Sequence, residues 1–175
     1  VTFSEDEKLV AQWFAALERT EIMGALAAIA ESIALEVEAR RPICLASGRC
    51  CGFERHGHRL YATGLETAWC VRSMRARRAD RALPSDPLRA LAVVDDARVR
   101  GDCPFLVDGR LCGAHLERPF GCRVYYCDGA GAGWQEALAE RSHRTVVRLH
   151  EEFELPYRYG EWRSMLALVS GVPSA

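Results

Sequence analysis

The sequence predicts a mostly α-helical single domain that carries cysteine-rich metal-binding loops and one short β-hairpin. Three observations predict it. Apolar residues recur at helical spacing near the start of the chain, in Leu9, Val10, Trp13, Phe14 and Leu17 and again in Ile22, Leu26, Ile29, Ile33 and Val37. The middle holds two cysteine knots: CLASGRCC, with Cys44, Cys50 and Cys51, and CPFLVDGRLCGAHLERPFGCRVYYC, with Cys103, Cys112, Cys122 and Cys127. Within the second knot the Asp-Gly pair Asp108-Gly109, flanked by Phe105, Leu106, Val107 and by Arg110, Leu111, Cys112, signals a hairpin with a two-residue type I′ turn.

Taken in order, Ser4 with Glu7 forms a capping box that opens the first helix. The second apolar stripe ends before Pro42, either as a separate helix parted near Thr20 or as the far half of one bent helix. Positions 44–54 read as a loop, in which Gly48 and Gly52 let the backbone wrap closely, and HGHR with His56 and His58 turns a corner. Thr63 and Glu66 make a second capping box, opening a helix with Leu65, Trp69, Cys70 and Met74. Cys70 reads as a small buried apolar residue. The cluster Arg72, Arg75, Arg77, Arg78 and Arg81 reads as a solvated helix end. Asp86 and Pro87 suit the start of a further short helix. The glycine-rich run at 128–133 reads as a hinge or close wrap before one long helix marked by Trp134, Leu138, Thr145, Leu149 and Phe153. His143 and His150 on that helix read as surface or partner-contact residues. Tyr157, Tyr159 and Trp162 lead into a last short helix.

With 175 residues, no internal repeat and no shift in composition, the chain reads as one domain, 1–175, with its cysteine region at about 44–127. It is 49% hydrophobic and 27% charged, which excludes wholesale disorder. A net charge of -1 supplies no global field toward nucleic acid or anionic membranes. The longest apolar run, near Ile22, is broken by Gly24, Glu31 and Glu36 and is too polar for a membrane span. The acidic start VTFSEDEKLV does not resemble an export signal, so the expected compartment is the cytoplasm. There eight cysteines point to metal or catalysis; in a secreted chain the same number would suggest four disulfides.

Thiolates bind zinc, or iron in sulfide clusters, directly, and a hydrophobic core does not need them at this density. The two knots are expected to fold onto each other around one or two metal centres. Cys122 and Cys127 are five residues apart, which on a helix would set them about 140° apart in azimuth, so a loop or helix start is required between them. Adjacent Cys50 and Cys51 would point to opposite faces of an extended chain, so both can serve one ion only at a local bend. Arg118 and Arg123 stand in the same loop and offset the thiolate charge, as candidate cofactor-binding residues.

These residues resemble the YkgJ-type cysteine-cluster family, the CxxCxxCC zinc- or iron-chelating domain. The resemblance runs through CLASGRCC, CPFL, the Asp-Gly turn and CGAHLERPFGCRVYYC, and covers about 44–127. It implies Cys44, Cys50, Cys51, Cys103, Cys112, Cys122 and Cys127 as metal ligands, with Pro104, Arg118, Pro119 and Arg123 also matching. Ser47 stands where the family carries a further cysteine, which leaves a position open, or filled by Cys70 or a histidine. The implied function is metal binding, of zinc or iron with an iron–sulfur cluster included, with the metal ion and an unidentified protein or peptide as partners. The alternative is a metal-dependent protein- or peptide-modifying enzyme, an iron oxidoreductase or a relative of the flagellin lysine methylases, with an open coordination position near Ser47. A zinc-stapled scaffold is the plainest version.

Overall fold

The computed structural model describes residues 4–77, 83–127 and 132–171, with Ala132 described by its backbone alone. It is mostly helical, with eight α-helices among the described residues: α1 (Glu5–Ala16), α2 (Thr20–Arg40), α3 (Phe53–His56), α4 (Gly64–Ala76), α5 (Pro87–Arg100), α6 (Phe120–Val124), α7 (Ala132–Glu152) and α8 (Trp162–Ser170). Two short antiparallel sheets interrupt them. One pairs β1 (Tyr61–Thr63) with β4 (Tyr159–Glu161), and the other is the hairpin of β2 (Leu106–Val107) and β3 (Leu111–Cys112).

Local chemistry sets the helix starts. Ser4 accepts from the Glu7 N–H at 3.2 Å while Glu7 accepts from the Ser4 N–H at 2.7 Å, a closed capping box. Thr63 and Glu66 repeat it on α4. Asp86 caps α5, with Pro87 in its first turn, and Glu161 caps α8. The two apolar stripes near the start are separate helices, because α1 stops at Ala16 and the chain bends through Leu17 before Thr20.

Two groups of helices share the core. Helices α1, α4, α5 and α8 pack together, and α2, α6 and α7 form the second group. Trp13, Trp162, Phe53, Leu65 and Leu166 are among the largest fully buried side chains. The β1–β4 sheet links the two strand-to-helix entries, Tyr61↔Glu161 through Thr63↔Tyr159, so α4 and α8 leave it side by side. The Trp13 indole N–H donates to the Pro156 carbonyl at 2.8 Å, fastening α1 to the segment before β4. Among the described residues no helix is long and apolar enough to cross a membrane.

Several expectations need correction. The hairpin is not the only sheet: β1 and β4 lie about a hundred residues apart in sequence, and three-residue strands leave too short an alternation to recognise. The loop at 44–54 ends early, since α3 begins at Phe53. The turn keeps the positive φ values of type I′ at Asp108 and Gly109, but the register pairs Val107 with Leu111, leaving Arg110 as an extra residue. His150 is not a surface residue. It is buried, with Nδ1 3.4 Å from the Leu155 carbonyl and its Nε2 enclosed without a partner among the described residues. In the basic cluster, Arg72 donates to the Leu17 carbonyl at 2.6 Å and Arg77 pairs with Glu117 at 3.0 Å. Arg78, Arg81 and positions 128–131 of the glycine-rich run lie outside the described residues.

Two outcomes follow for stability. A methyl group at Gly64 would overlap the Trp13 indole where α4 crosses α1, and an overpacked core position costs about 1–3 kcal/mol. Gly64→Ala is therefore expected to lower the urea midpoint without changing the slope of the transition; an unchanged midpoint would show that Trp13 has room to move. Burial holds the His150 pKa below its usual 6.5, outweighing the Leu155 and Pro156 carbonyls that favour the cation. The unfolded chain thus binds that proton first as pH falls, so the stability His150 contributes near neutrality is lost below about pH 6.5. His150→Leu should flatten the fall of the urea midpoint between pH 7.5 and 5; a slope equal to wild type would remove His150 as its cause.

Candidate metal centre

The first cysteine knot follows α2, whose end is capped by Arg41 in the left-handed region. Gly48, at φ 69°, starts a tight turn: its carbonyl accepts from the Cys51 N–H at 2.9 Å and from the Gly52 N–H at 3.0 Å. That turn is the bend which adjacent cysteines require, and it brings the Cys50 and Cys51 sulfurs to 4.0 Å. The second knot follows α5, closed by Gly101 at φ 74°. Its first cysteine docks on the first knot through the backbone, the Cys103 N–H donating to the Cys51 carbonyl at 2.7 Å. The Glu54 N–H donates to the Gly101 carbonyl at 3.0 Å alongside. The β2–β3 hairpin then delivers Cys112, and its turn lies against Gly48, where any Cβ would meet the Gly109 carbonyl.

Cys51 is the hub of this arrangement. The thiols of Cys103, Cys112 and Cys50 all interact with its sulfur, and together they hold its proton on, pushing its pKa up. The partners shift the other way. The Cys51 hydrogen bond lowers Cys50 to about 6 against the cost of burial, helped by the charges of Arg118 and His58. The same hydrogen bond lowers Cys112 to about 7, with Arg118 again assisting. Protons within the group are therefore shared unequally: Cys51 keeps its own and stabilises a thiolate beside it.

Cys122 and Cys127 join Cys50, Cys51 and Cys112 in lining a cleft of about 540 Å³. Cys122, on α6, is pushed up by burial and then by the charges of Cys103 and Cys112. Cys127 lies 3.6 Å from the Ser47 hydroxyl. Ser47 is exposed, yet it stands beside a cysteine, and that cysteine belongs to the second knot. Cys44 is exposed and makes no hydrogen bond among the described residues. Cys70 is buried in the core on α4, as a small apolar residue would be, and burial raises its pKa well above the usual thiol value.

The two arginines part company. Arg118 lines the cleft, and its charge favours the thiolates of Cys50 and Cys112. Arg123 instead clamps its own loop, its guanidinium donating to the carbonyls of Arg118 at 3.0 Å and Leu116 at 2.8 Å and lying over Trp69. A buried carboxylate that motif spacing marked only as a helix cap holds the same region: Glu66 accepts from Thr63 and also from the Phe120 N–H at 3.2 Å, which seats α6 and Cys122. His58 enters the site, its Nε2 3.3 Å from the Cys50 carbonyl and its ring stacked on Tyr125 at 5.2 Å. Arg49, Arg59 and Tyr125 complete the walls; nothing in their spacing singled them out.

Among the described residues no group of three or more His, Cys, Asp or Glu side chains is set to hold a metal ion as it stands. The donor set itself fits one. Zinc bound by thiolates at about 2.3 Å separates neighbouring sulfurs by about 3.8 Å, close to the 4.0 Å between Cys50 and Cys51. A larger groove of about 790 Å³ between α2 and α7 has no cysteine in its lining, and its Arg141 is already paired with Glu36 at 2.6 Å. No family model, curated protein or solved structure matches the chain.

Gly48 tests how the two knots are joined. Gly48→Ala places a side chain at a left-handed φ and against the Gly109 backbone, so it is expected to cost more than the roughly 1 kcal/mol of a glycine substitution alone. Limited proteolysis should then cut between 44 and 52 faster than in wild type, with little change in helicity by circular dichroism. Equal cleavage rates would mean that the knots are held without this contact.

Proposed function

We propose that this chain is a metal-binding protein whose centre is built on Cys50, Cys51, Cys103 and Cys112, with Cys122 and Cys127 beside it, and that it is related to the YkgJ-type cysteine-cluster proteins. One observation carries the reading: cysteines some fifty residues apart are brought together where the Cys103 N–H donates to the Cys51 carbonyl at 2.7 Å, beside the Cys50 and Cys51 sulfurs 4.0 Å apart. Four soft donors in that space suit zinc or iron, an iron–sulfur cluster included. Free thiols at this density persist in a reducing compartment, which supports a cytoplasmic setting. Bound metal would add folding energy to that which the buried Phe53, Phe105 and Phe120 of these regions already supply.

A second reading, a metal-dependent enzyme that modifies a protein or peptide, is supported by the cleft. The sulfur group opens onto a space wide enough for a side chain, and Ser47 leaves one position by Cys127 without a thiolate. An accessible position is what a catalytic metal needs and a closed structural site lacks.

The test is metal analysis of anaerobically purified protein, with absorption spectra before and after exposure to air. About one equivalent or more of zinc or iron is expected, colourless for zinc and brown for a cluster. Cys51→Ser should lose most of that metal, because it removes the sulfur that the other three share, while Cys70→Ser should retain it. Protein that neither carries nor takes up zinc or iron under anaerobic reconstitution would overturn the reading.

A further inference from the structure

The cleft beside the sulfur group carries a second chemistry that metal binding does not use. Arg49, Arg59 and Arg118 line it, and among its described lining residues the only carboxylate is Glu136. Elsewhere arginines reach acids, as Arg77 does Glu117 at 3.0 Å, Arg158 does Asp6 at 2.6 Å and Arg163 does Glu54 at 2.8 Å. The three at the cleft form no ion pair among the described residues. Arg118 meets the His115 ring nitrogen at 3.4 Å, and its Nε is enclosed without a hydrogen-bond partner among those residues. An enclosed guanidinium donor left unpaired costs free energy, and a carboxylate or phosphate oxygen is the acceptor that matches it best.

The rest of the lining is not that of a simple ion site. Leu60, Val124 and Ala139 give it an apolar wall, and the stacked rings of His58 and Tyr125 stand beside it. At about 540 Å³ the volume is that of a small-molecule pocket, far larger than an inorganic anion fills.

We propose that this cleft binds an organic anion, a carboxylate or phosphate ester whose charged head meets Arg118 and whose apolar body lies along Leu60, Val124 and Ala139. The site stands on cleft-lining residues other than the sulfur donors, so it goes beyond the metal reading. The competing role for the arginines is to balance thiolate charge, and that role predicts something different. Arginines engaged only as counter-charges would hold an added anion in metal-free protein alone, or not at all.

Calorimetric titration of the full chain, metal-free and zinc-loaded, decides between them, with benzoate and phenyl phosphate as probes and the metal content measured in each sample. Saturable binding of one or both is expected in both forms, and the tighter of the two identifies the head group. Benzamide, which lacks the charge, and inorganic phosphate, which lacks the apolar body, should bind at least about tenfold more weakly. Arg118→Gln should weaken binding at least about tenfold, while Arg110→Gln, exposed on the hairpin turn, should leave it unchanged. Should Arg118→Gln fail to fold, Arg59→Gln is expected to weaken binding several-fold. The inference is overturned if neither probe saturates, if benzamide binds as well as benzoate, if the arginine variants bind like wild type, or if zinc loading abolishes binding. Anion binding lost with zinc retained refutes this inference alone; zinc never bound with anion binding intact refutes the metal reading alone.

Discussion

The hydrogen bond from the Cys103 N–H to the Cys51 carbonyl, 2.7 Å long, is the constraint on which the cysteine region depends. It joins two loops that leave different helices and that bury Cys51, Phe53, Cys103 and Phe105 in the core around it. Around it the fit is steric as well as polar. Gly48 has no Cβ, so its turn can lie flat on the Gly109 turn of the hairpin, and both glycines sit at positive φ. Once these backbones are paired, the sulfurs have little freedom about where to go: Cys50 and Cys51 are set by the turn, Cys103 by the pairing, Cys112 by the strand register.

Two buried charges brace that junction from outside. Arg163 of α8 bonds Glu54 at 2.8 Å and Glu161 at 2.9 Å and lies over the Phe53 ring, so the first knot is tied to the C-terminal helix. Glu66 of α4 does the same for the second knot through the Phe120 N–H. Burying an ion costs desolvation energy that its hydrogen bonds offset only when the geometry is met, so such groups favour one arrangement of the loops over looser ones. Glu66 shows that cost directly: burial raises its pKa despite the donors facing it. The helical core thereby reaches the irregular loops through these two side chains as well as through packing, as where the Phe105 ring meets that of Trp162 with centroids 6.0 Å apart.

Most of the helices were legible in the sequence because their signals are local. Capping boxes at Ser4 and Thr63, the proline at the start of α5 and the apolar stripes of α1 and α2 act within a few residues, and the structure repeats them. The β1–β4 sheet was not legible, since three residues at each end of a long separation carry no usable period. In the cysteine region the residue types and the need for a bend at Cys50 were readable, but not the grouping. Spacing alone could not separate Cys51 as a hub from Cys44, which stays apart, nor tell that Arg118 faces the cleft while Arg123 clamps its own loop. His150 was misjudged because a polar residue on a helical face is read as exposed until the fold shows what covers it.

The electrostatics of the sulfur group explain why such a packing is more than a filled core. Cys50 and Cys112 release a proton more readily than a free thiol, since Cys51 donates a hydrogen bond to the thiolate and Arg118 supports it. Cys51 shifts up chiefly because Cys103, Cys112 and Cys50 hold its proton in hydrogen bonds, with burial and the charge of Cys103 adding to this, while Cys50 and Cys112 shift down. A cation placed among the sulfurs would reverse each of these effects, because every deprotonation would then be favoured by a charge of opposite sign at bonding distance. Inert cysteine packing, as at Cys70, needs neither the arginine nor the shared protons. Their presence around Cys50 and Cys112, whose thiols are shifted down, separates these two from a cysteine that is merely buried.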